Sequence, residues 1–365
     1  MMNQLLLMIF GLFLGTGGDE YHNQVATDND LINDGPYIYQ VNNRLKAGWI
    51  ENGIYRENFI VPENFERLCR DFNLSFTYKD LSDTYLLKPE FNQSFSNADS
   101  IAVISDIHGE YGIYIDLLKG TGIIDDNLNW KFGKGHLVVL GDMFDRGNMV
   151  TEILWHLFGL EKQAEKAGGR VHVVLGNHEF MVLRNELCEI NEKYSKVEKA
   201  SNTTYADLFS ANSVLGKWLR TKPVVMTIDN IIFVHGGIST AMLHKSLSIK
   251  QINRIFTRKV IGRNLGEACN NELVKFLNEA DGPLWYRGYF YDTNFSESDV
   301  DAILDFYGKG HIIVGHTPNK ETKSLFNNKI LGADAGIMYD KPGEMIIYKE
   351  GSFYQSLGTG ERIKL

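Results

Sequence analysis

Eight side chains that can bind metal ions or transfer protons follow closely after five short apolar runs. The runs are IAVIS at 101, HLVVL at 136, VHVVL at 171, and later IIFV and IIV. The eight side chains are carboxylates, imidazoles and one carboxamide: Asp106, His108, Asp142, Asp145, Asn177, His178, His235 and His316. They offer oxygen and nitrogen donors, which suit Mn, Fe, Zn, Co or Mg, and no thiolate of the kind that builds an iron-sulfur cluster.

A single residue of this kind carries little information. A lone Asp after a strand usually forms a turn or caps a helix, and a lone His is usually structural. Such residues after five strands together carry more information than one alone. Charged and imidazole groups that converge at the buried end of a sheet repel one another or lack hydrogen-bond partners unless a cation is present. The sequence therefore predicts a metal site at one rim of one sheet.

The elements that position these residues have the pattern of an α/β protein. The three strand-length runs alternate with amphipathic stretches at 110–119 and 149–167, which predicts a βαβαβ unit. Ligands of such sheets bind at the carboxyl ends of the strands. Further strands are predicted at 223–228, 231–235, 311–315 and 344–348, and two mainly helical insertions at 181–220 and 240–306 are expected to form the walls of a cleft.

The motifs SDIHG, GDMFDRG, GNHE, HGG and VGH, in this order, resemble the calcineurin-like metallophosphoesterases and specifically the phosphoprotein phosphatase superfamily. The stretches LGKWLRTKPVV and GPLWYRGY are similar to bacterial Shewanella-like protein phosphatases. The resemblance implies an α/β sandwich with mixed sheets flanked by helices and an active site at the strand C-terminal ends. One departure is Ser105, where the family's first motif usually begins with Gly.

The resemblance also implies two divalent metal ions per chain, of Mn, Fe, Zn or a mixture. One ion would bind Asp106, His108 and Asp142, and the other Asp142, Asn177, His235 and His316. Asp142 would bridge them, and a shared carboxylate offsets the repulsion of two cations about 3.5 to 4 Å apart.

His178 is implied to be the proton donor to the leaving oxygen, with Asp145 orienting it, and Arg146 and Arg287 to be substrate-binding phosphate clamps. Hydrolysis would proceed by direct attack of a metal-bridging water. The first functional hypothesis is a phosphomonoesterase that acts on phosphotyrosine or phosphoserine/threonine in proteins. The second is a hydrolase of nucleotides or dinucleoside polyphosphates. The third is a non-catalytic binding module. It is the weakest, because a protein without catalytic activity has no physical reason to keep all the metal ligands as well as His178 and Asp145.

Composition sets the remaining limits. The net charge of −9 argues against sequence-independent binding of nucleic acid, which needs a dense Lys/Arg surface. Residues 1–18 contain an apolar run of signal-peptide length that is too short to span a bilayer, so periplasmic or secreted localisation is expected, with a cytoplasmic protein as the alternative. A polar linker is expected at 19–36, an N-terminal extension packed on the main domain at 37–98, and the phosphoesterase domain at 99–360. Within the extension, the short runs YIYQV, FTYKD and TYLLK predict strands.

Three further histidines lie at the opposite ends of predicted strands. His136, His172 and His311 each come at the start of an apolar run, away from the predicted metal site. We expect them to be structural. Asp334, in the run ADAGIMYD, is expected to act either as a turn residue or as a support for the site.

Overall fold

The apolar runs form strands in the computed structural model, which describes residues 31–263, 266, 270–339 and 341–365. Among these residues the strands are β1 (Asp34–Val41), β2 (Arg44–Glu51), β3 (Ile54–Ile60), β4 (Ser94–Phe95), β5 (Ser100–Ile104), β6 (His136–Val139), β7 (Arg170–Val173), β8 (Val225–Ile228), β9 (Ile231–Val234), β10 (His311–Val314), β11 (Lys323–Leu325), β12 (Ile330–Gly332), β13 (Met345–Lys349), β14 (Ser352–Ser356) and β15 (Arg362–Lys364).

Helices occupy the amphipathic stretches between the strands. Those of the described residues are α1 (Pro62–Phe72), α2 (Tyr78–Thr84), α3 (Tyr111–Gly120), α4 (Val150–Ala167), α5 (Asn177–Leu183), α6 (Glu192–Ser201), α7 (Tyr205–Leu208), α8 (Val214–Leu219), α9 (Thr240–Leu243), α10 (Ile249–Ile255), α11 (Glu272–Leu277), α12 (Gly288–Tyr291) and α13 (Glu297–Tyr307). The two stretches predicted as helical insertions, at 181–220 and 240–306, are mainly helical. No helix among the residues described is long and apolar enough to cross a membrane.

Two six-stranded mixed sheets pack face to face. One has the strand order β15-β14-β13-β5-β6-β7 and the other β11-β12-β10-β9-β8-β4. A core of fully buried side chains fills the space between them, with Ile101 and Val138 from the first sheet and Phe233 and Ile313 from the second. The predicted α/β sandwich is confirmed.

The expectation that all five motif-bearing strands share one sheet is wrong. Strands β5, β6 and β7 belong to one sheet, whereas β9 and β10 belong to the other. All five are buried on both faces, so their sequences are continuous apolar runs whichever sheet they join. The two sheets still present these strand ends at a common edge, as the contacts of the site below show.

The N-terminal region is an antiparallel sheet of three strands, β1-β2-β3, followed by α1 and α2. It joins the main fold through β1, where Gln40 N donates to Asn212 O at 3.0 Å. The run YIYQV, predicted as a strand, lies in β1. The runs FTYKD and TYLLK, also predicted as strands, instead form α2 and its flanks, because Thr77 and Asp80 cap that helix reciprocally.

The boundary of the predicted linker also shifts. The linker was predicted to end at residue 36, whereas β1 already begins at Asp34. The apolar run predicted as a leader lies outside the described residues.

Candidate active site

The two sheets bring six predicted metal ligands to one place. Asp106 and His108 follow β5, Asp142 follows β6, and Asn177 begins α5 directly after β7. His235 follows β9 and His316 follows β10, both in the second sheet. All six side chains are buried, with exposed fractions between 0 and 4%.

Asp142 is shared by two clusters of imidazoles. His108, Asp142 and His178 form one cluster, and Asp142, His235 and His316 form the other; in each, one ligand atom per residue lies within 4.8 Å of the others. The Oδ2 atom of Asp142 lies 3.2 Å from Nε2 of His235, 3.8 Å from that of His108 and 3.9 Å from that of His178. A carboxylate between two groups of nitrogen donors is the arrangement that a bridging ligand requires.

Asp106 lies at the same site but outside these two closest clusters. Its Oδ2 atom accepts hydrogen bonds from Ser105 Oγ at 2.5 Å and from the backbone N of His316 at 2.9 Å. Asp106 thus joins the ends of β5 and β10, and its role as a metal ligand stays a prediction. Ser105, the departure from the family motif, supplies an additional hydrogen bond to this carboxylate.

Backbone carbonyls orient two of the histidines. His108 Nδ1 lies 2.8 Å from Phe144 O, and His235 Nδ1 lies 2.6 Å from Leu140 O. A carbonyl oxygen can only accept, so Nδ1 is the protonated nitrogen and Nε2 is directed toward Asp142. A hydrogen bond from the other ring nitrogen to a carbonyl is usual for an imidazole that binds a metal ion.

The surroundings of His235 and His316 test whether a cation fits. His235 Nε2 faces two oxygens, Asn177 Oδ1 at 2.9 Å and Asp142 Oδ2 at 3.2 Å. A neutral imidazole would oppose its lone pair to both oxygens, so the position needs either a second proton or a metal ion. Burial lowers the pKa of His235, but the charge of Asp142 outweighs it and raises the value to about 10.

His316 stays neutral and incompletely paired. Burial, then the charges of His235 and Arg287, lower its pKa to about 2. Its Nε2 atom is buried and has no hydrogen-bond partner among the described residues. The nitrogen and oxygen donors present, and the unsatisfied positions among them, therefore fit divalent cations.

The predicted acid pair is assembled. His178 Nδ1 lies 2.6 Å from Asp145 Oδ2, and both side chains are buried. Burial lowers the pKa of His178, but the charge of Asp142 and the hydrogen bond that His178 donates to Asp145 outweigh burial, so the pKa is raised above its ordinary value. The other ring nitrogen of His178, Nε2, faces the Asp142 carboxylate, which both clusters share.

The two predicted phosphate clamps differ in their surroundings. Arg287 is half-buried, and its Nη2 atom lies 3.5 Å from His316 Nδ1, beside the second cluster. Arg146 follows Asp145 directly and is 39% exposed at its side chain. Its guanidinium is 3.9 Å from Glu189, a distance at which the pair is weak. Both guanidinium groups therefore keep donors free for a ligand.

The backbone of the site is strained. Six of the predicted site residues have positive φ angles although none is glycine: Asp106 (52°), His108 (46°), Asp142 (53°), Asp145 (69°), Arg146 (64°) and His316 (62°). Each such residue costs on the order of 1 to 3 kcal/mol and persists only where its surroundings fix it. Gly141, with φ 84°, has no room for a side chain, since a Cβ there would lie 2.3 Å from Gly176 N. The strand ends thus come together at close range.

Glu179 is a supporting residue for which sequence analysis gave no role. Its carboxylate accepts from the backbone N of Asp142 at 2.9 Å, Met143 at 2.8 Å and Gly176 at 2.7 Å. Burial, followed by the charge of Asp142, raises its pKa to about 7. Glu179 is the third residue of α5, a position at which Glu caps a helix, and this spacing was the available signal.

Asp334 is buried near the same clusters. Its Oδ1 atom accepts from Gly336 N at 3.0 Å, which is a turn hydrogen bond. Burial and the neighbouring charge of Asp106 raise its pKa well above the ordinary value. The turn role agrees with this hydrogen bond, and the role in support of the site stays a prediction.

Comparison with known proteins agrees with this geometry. Residues 100–320 match the model of the calcineurin-like phosphoesterase family. Shewanella-like protein phosphatase 1 of Plasmodium berghei is 32% identical over 73% of this chain and 74% of its own length, and Shewanella-like protein phosphatase 2 of Arabidopsis thaliana is 32% identical over 76% and 83%.

A solved structure extends the similarity over almost the whole chain. The cold-active protein-tyrosine phosphatase of a psychrophilic Shewanella species has a TM-score of 0.82 and 31% identity, covering 92% of this chain and 99% of that one. The family resemblance and the predicted hydrolase activity are confirmed. The chain therefore belongs to the calcineurin-like phosphoesterase family and is a metallophosphoesterase of the Shewanella-like protein phosphatase type.

Proposed function

We propose that this protein is a binuclear-metal phosphomonoesterase that removes phosphate from phosphotyrosine in proteins. The observation that carries the proposal is Asp142, which is shared by two imidazole clusters beside the His178–Asp145 pair. The tyrosine preference is supported by similarity to a protein-tyrosine phosphatase over 99% of that chain. Phosphoserine and phosphothreonine are the alternative substrates within the same reaction.

Two divalent ions, of Mn, Fe, Zn or a mixture, would be held by nitrogen and oxygen donors. Asp142 would contact both, with Asp106 and His108 on one side and the remaining ligands, Asn177, His235 and His316, on the other. When bound, the ions would activate a water nucleophile at neutral pH and neutralise charge on the phosphoryl oxygens. The short distance from His235 to Asp142 and the unsatisfied His316 nitrogen support this arrangement.

The protein's own groups supply proton transfer and orientation. Asp145 accepts the Nδ1 proton of His178, which leaves the Nε2 proton available for the leaving oxygen of the substrate. The raised pKa of His178 favours the protonated imidazole, which is the form that a proton donor needs. Arg146 and Arg287 would bind phosphate oxygens through their planar donor groups.

A substrate panel tests the proposal. Purified protein with added Mn would be assayed on peptides containing phosphotyrosine, phosphoserine or phosphothreonine and on dinucleoside polyphosphates, with Asp142→Asn as the control for contaminating activity. We expect the highest kcat/KM on phosphotyrosine. A preference for dinucleotides would replace the proposal with the nucleotide hydrolase, and absence of both activity and bound metal would favour a binding module.

We also propose that the protein is exported. The support is the apolar run LLLMIFGLFL at 5–14, which is followed by small residues. Cell fractionation with periplasmic and cytoplasmic marker enzymes tests this, and recovery of the chain with the cytoplasmic marker at full length would overturn it.

A further inference from the structure

A buried ion-pair cluster lies outside the metal-binding residues, where the N-terminal sheet meets the main fold. The Lys193 ammonium, on α6, is 2.7 Å from Asp34 Oδ1 on β1 and 3.6 Å from Glu152 Oε1 on α4. The Lys193 side chain is 14% exposed and that of Asp34 is fully buried. Asp34 also accepts hydrogen bonds from Tyr37 and from Thr151. The strand β1 and the helices α4 and α6, which are distant in the sequence, thus meet at the Lys193 ammonium.

The same ammonium holds the loop that carries two predicted site residues. Lys193 Nζ donates to Asn148 O at 2.7 Å, and Asn148 lies three residues after Asp145. The neighbouring Tyr194 hydroxyl accepts from Val150 N at 2.8 Å and contacts Asn148 O at 3.3 Å. The beginning of α6 therefore fixes the end of the loop 145–149.

Residues just before α6 fix the start of this loop. Asn191 Nδ2 donates to Arg146 O at 2.7 Å, and Arg146 N donates to Glu189 O at 3.1 Å. Asp145 and Arg146 are consecutive non-glycine residues with φ angles of 69° and 64°. Such backbone conformations persist only when the surrounding structure over-determines them. The loop therefore depends on contacts from outside itself.

We propose that Lys193 is a positioning residue for catalysis, and that the N-terminal sheet supports the active site through the Asp34–Lys193 ion pair. This inference rests on the proposed function, because its kinetic consequences pass through Asp145 and Arg146. Without the ammonium, the Asp34 carboxylate is buried and uncompensated and the Asn148 carbonyl loses its donor. The loop then relaxes, and with it the carboxylate that orients His178 and the guanidinium that binds phosphate.

Replacement of Lys193 by Met, which keeps the length of the side chain, tests the proposal. We expect Lys193→Met to lower kcat/KM on a phosphotyrosine peptide about 10- to 100-fold, by analogy with the loss that follows removal of residues supporting metal ligands. Lys222→Met is the matched control, because Lys222 is 12% exposed and pairs with Glu161 away from this loop. Equal kinetic losses in the two variants would overturn the proposal.

A double-mutant cycle separates positioning from general destabilisation. If Lys193 acts through Arg146, the increase in KM caused by Lys193→Met should shrink at least several-fold in an Arg146→Ala background. The effects of Lys222→Met and Arg146→Ala on KM should be independent, so that the double variant shows their product. Fully multiplicative effects of Lys193→Met and Arg146→Ala, in KM and in kcat, would show that Lys193 does not position this loop.

Hydrogen exchange gives a readout that does not need activity. The backbone amides of Arg146 and Val150 should exchange faster in Lys193→Met than in the wild type, with no change in Lys222→Met. Wild-type protein without phosphatase activity would contradict the proposed function alone, and the exchange rates would still decide the role of Lys193. Unchanged protection of both amides in Lys193→Met would overturn the proposed positioning role of Lys193.

Discussion

The two ends of the central strands contain histidines in opposite chemical settings. At the carboxyl ends, His108, His178 and His235 each place Nε2 within 4 Å of the Asp142 carboxylate. Toward the amino ends, Nε2 of His172, inside β7, lies 3.1 Å from Nδ1 of His136, the first residue of β6. The same residue type on neighbouring strands therefore serves two purposes, and the presence of the Asp142 carboxylate makes the difference.

The amino-end pair satisfies itself. The His172 ring packs on Phe95 at 4.5 Å between centroids, and burial, together with His136 and Arg170, lowers its pKa well below the ordinary value. Two neutral imidazoles can donate and accept between themselves without a cation. A histidine near the end of a strand thus indicates a metal site only where carboxylates lie at the same end of the sheet.

The largest expected effect comes from removing the carboxylate that distinguishes the two ends. Asp142→Asn should deplete both metal ions and reduce activity by more than about 100-fold, beyond the usual effect of residues that only support a ligand. Elemental analysis of the purified variant measures this, with His172→Asn at the opposite strand ends as the control that keeps its metals. Two tightly held ions in Asp142→Asn would break the comparison.

Replacing the proton donor should give the next largest effect. His178→Asn is expected to slow hydrolysis of phosphoserine by roughly 10² to 10⁴ while metal content stays unchanged. The loss should be smaller on phosphotyrosine and smallest on para-nitrophenyl phosphate, because a stable leaving group needs little protonation. Equal losses on all three substrates would mean that His178 supports the metals instead.

Arg287→Ala should have a smaller effect confined to substrate binding. Loss of one charge-assisted phosphate contact costs about 1.5 to 3 kcal/mol, which corresponds to a KM increase of roughly 10- to 150-fold. Steady-state kinetics on phosphotyrosine measure it, and elemental analysis should find the metals retained. An unchanged KM would return Arg287 to a structural role beside His316.

The smallest effect concerns stability at the amino ends. The pKa of His172 is lowered in the folded state, so below an unfolded pKa near 6.5 only the unfolded chain takes up this proton, and stability is lost as pH falls. His172→Asn should remove up to about 1.4 kcal/mol per pH unit of this dependence. Urea unfolding at pH 5.5 and pH 8 measures the slope for both proteins. The same slope in both would show that His172 is protonated in the folded state.

Much of the site was predictable because its residues follow strands with an unmistakable pattern. Strands β5, β6 and β7 are continuous apolar runs, and the groups after them have few other uses in that number. Strand β3 gave no such signal, since six of its seven residues are not buried. The division of strands between two sheets was also invisible, because a strand buried on both faces has the same pattern in either sheet.

The support of the site was harder to predict than the site itself. The contacts of Glu179 go to backbone amides, which every sequence offers. Lys193 and Asp34 are 159 residues apart and neither lies in a motif. Pairing of this kind depends on the tertiary fold, so single residues do not reveal it.

The division of the ligands between two sheets has a consequence for how the enzyme responds to change. Asp142 follows a strand of one sheet, and His235 and His316 follow strands of the other, so ions bound by these residues would join the two halves of the sandwich. Metal occupancy and sheet packing would then be thermodynamically linked, because ions that bind only the folded state stabilise it by mass action. Substitutions at Val138 or Phe233, in the core between the sheets, can thus tune metal affinity without touching a ligand.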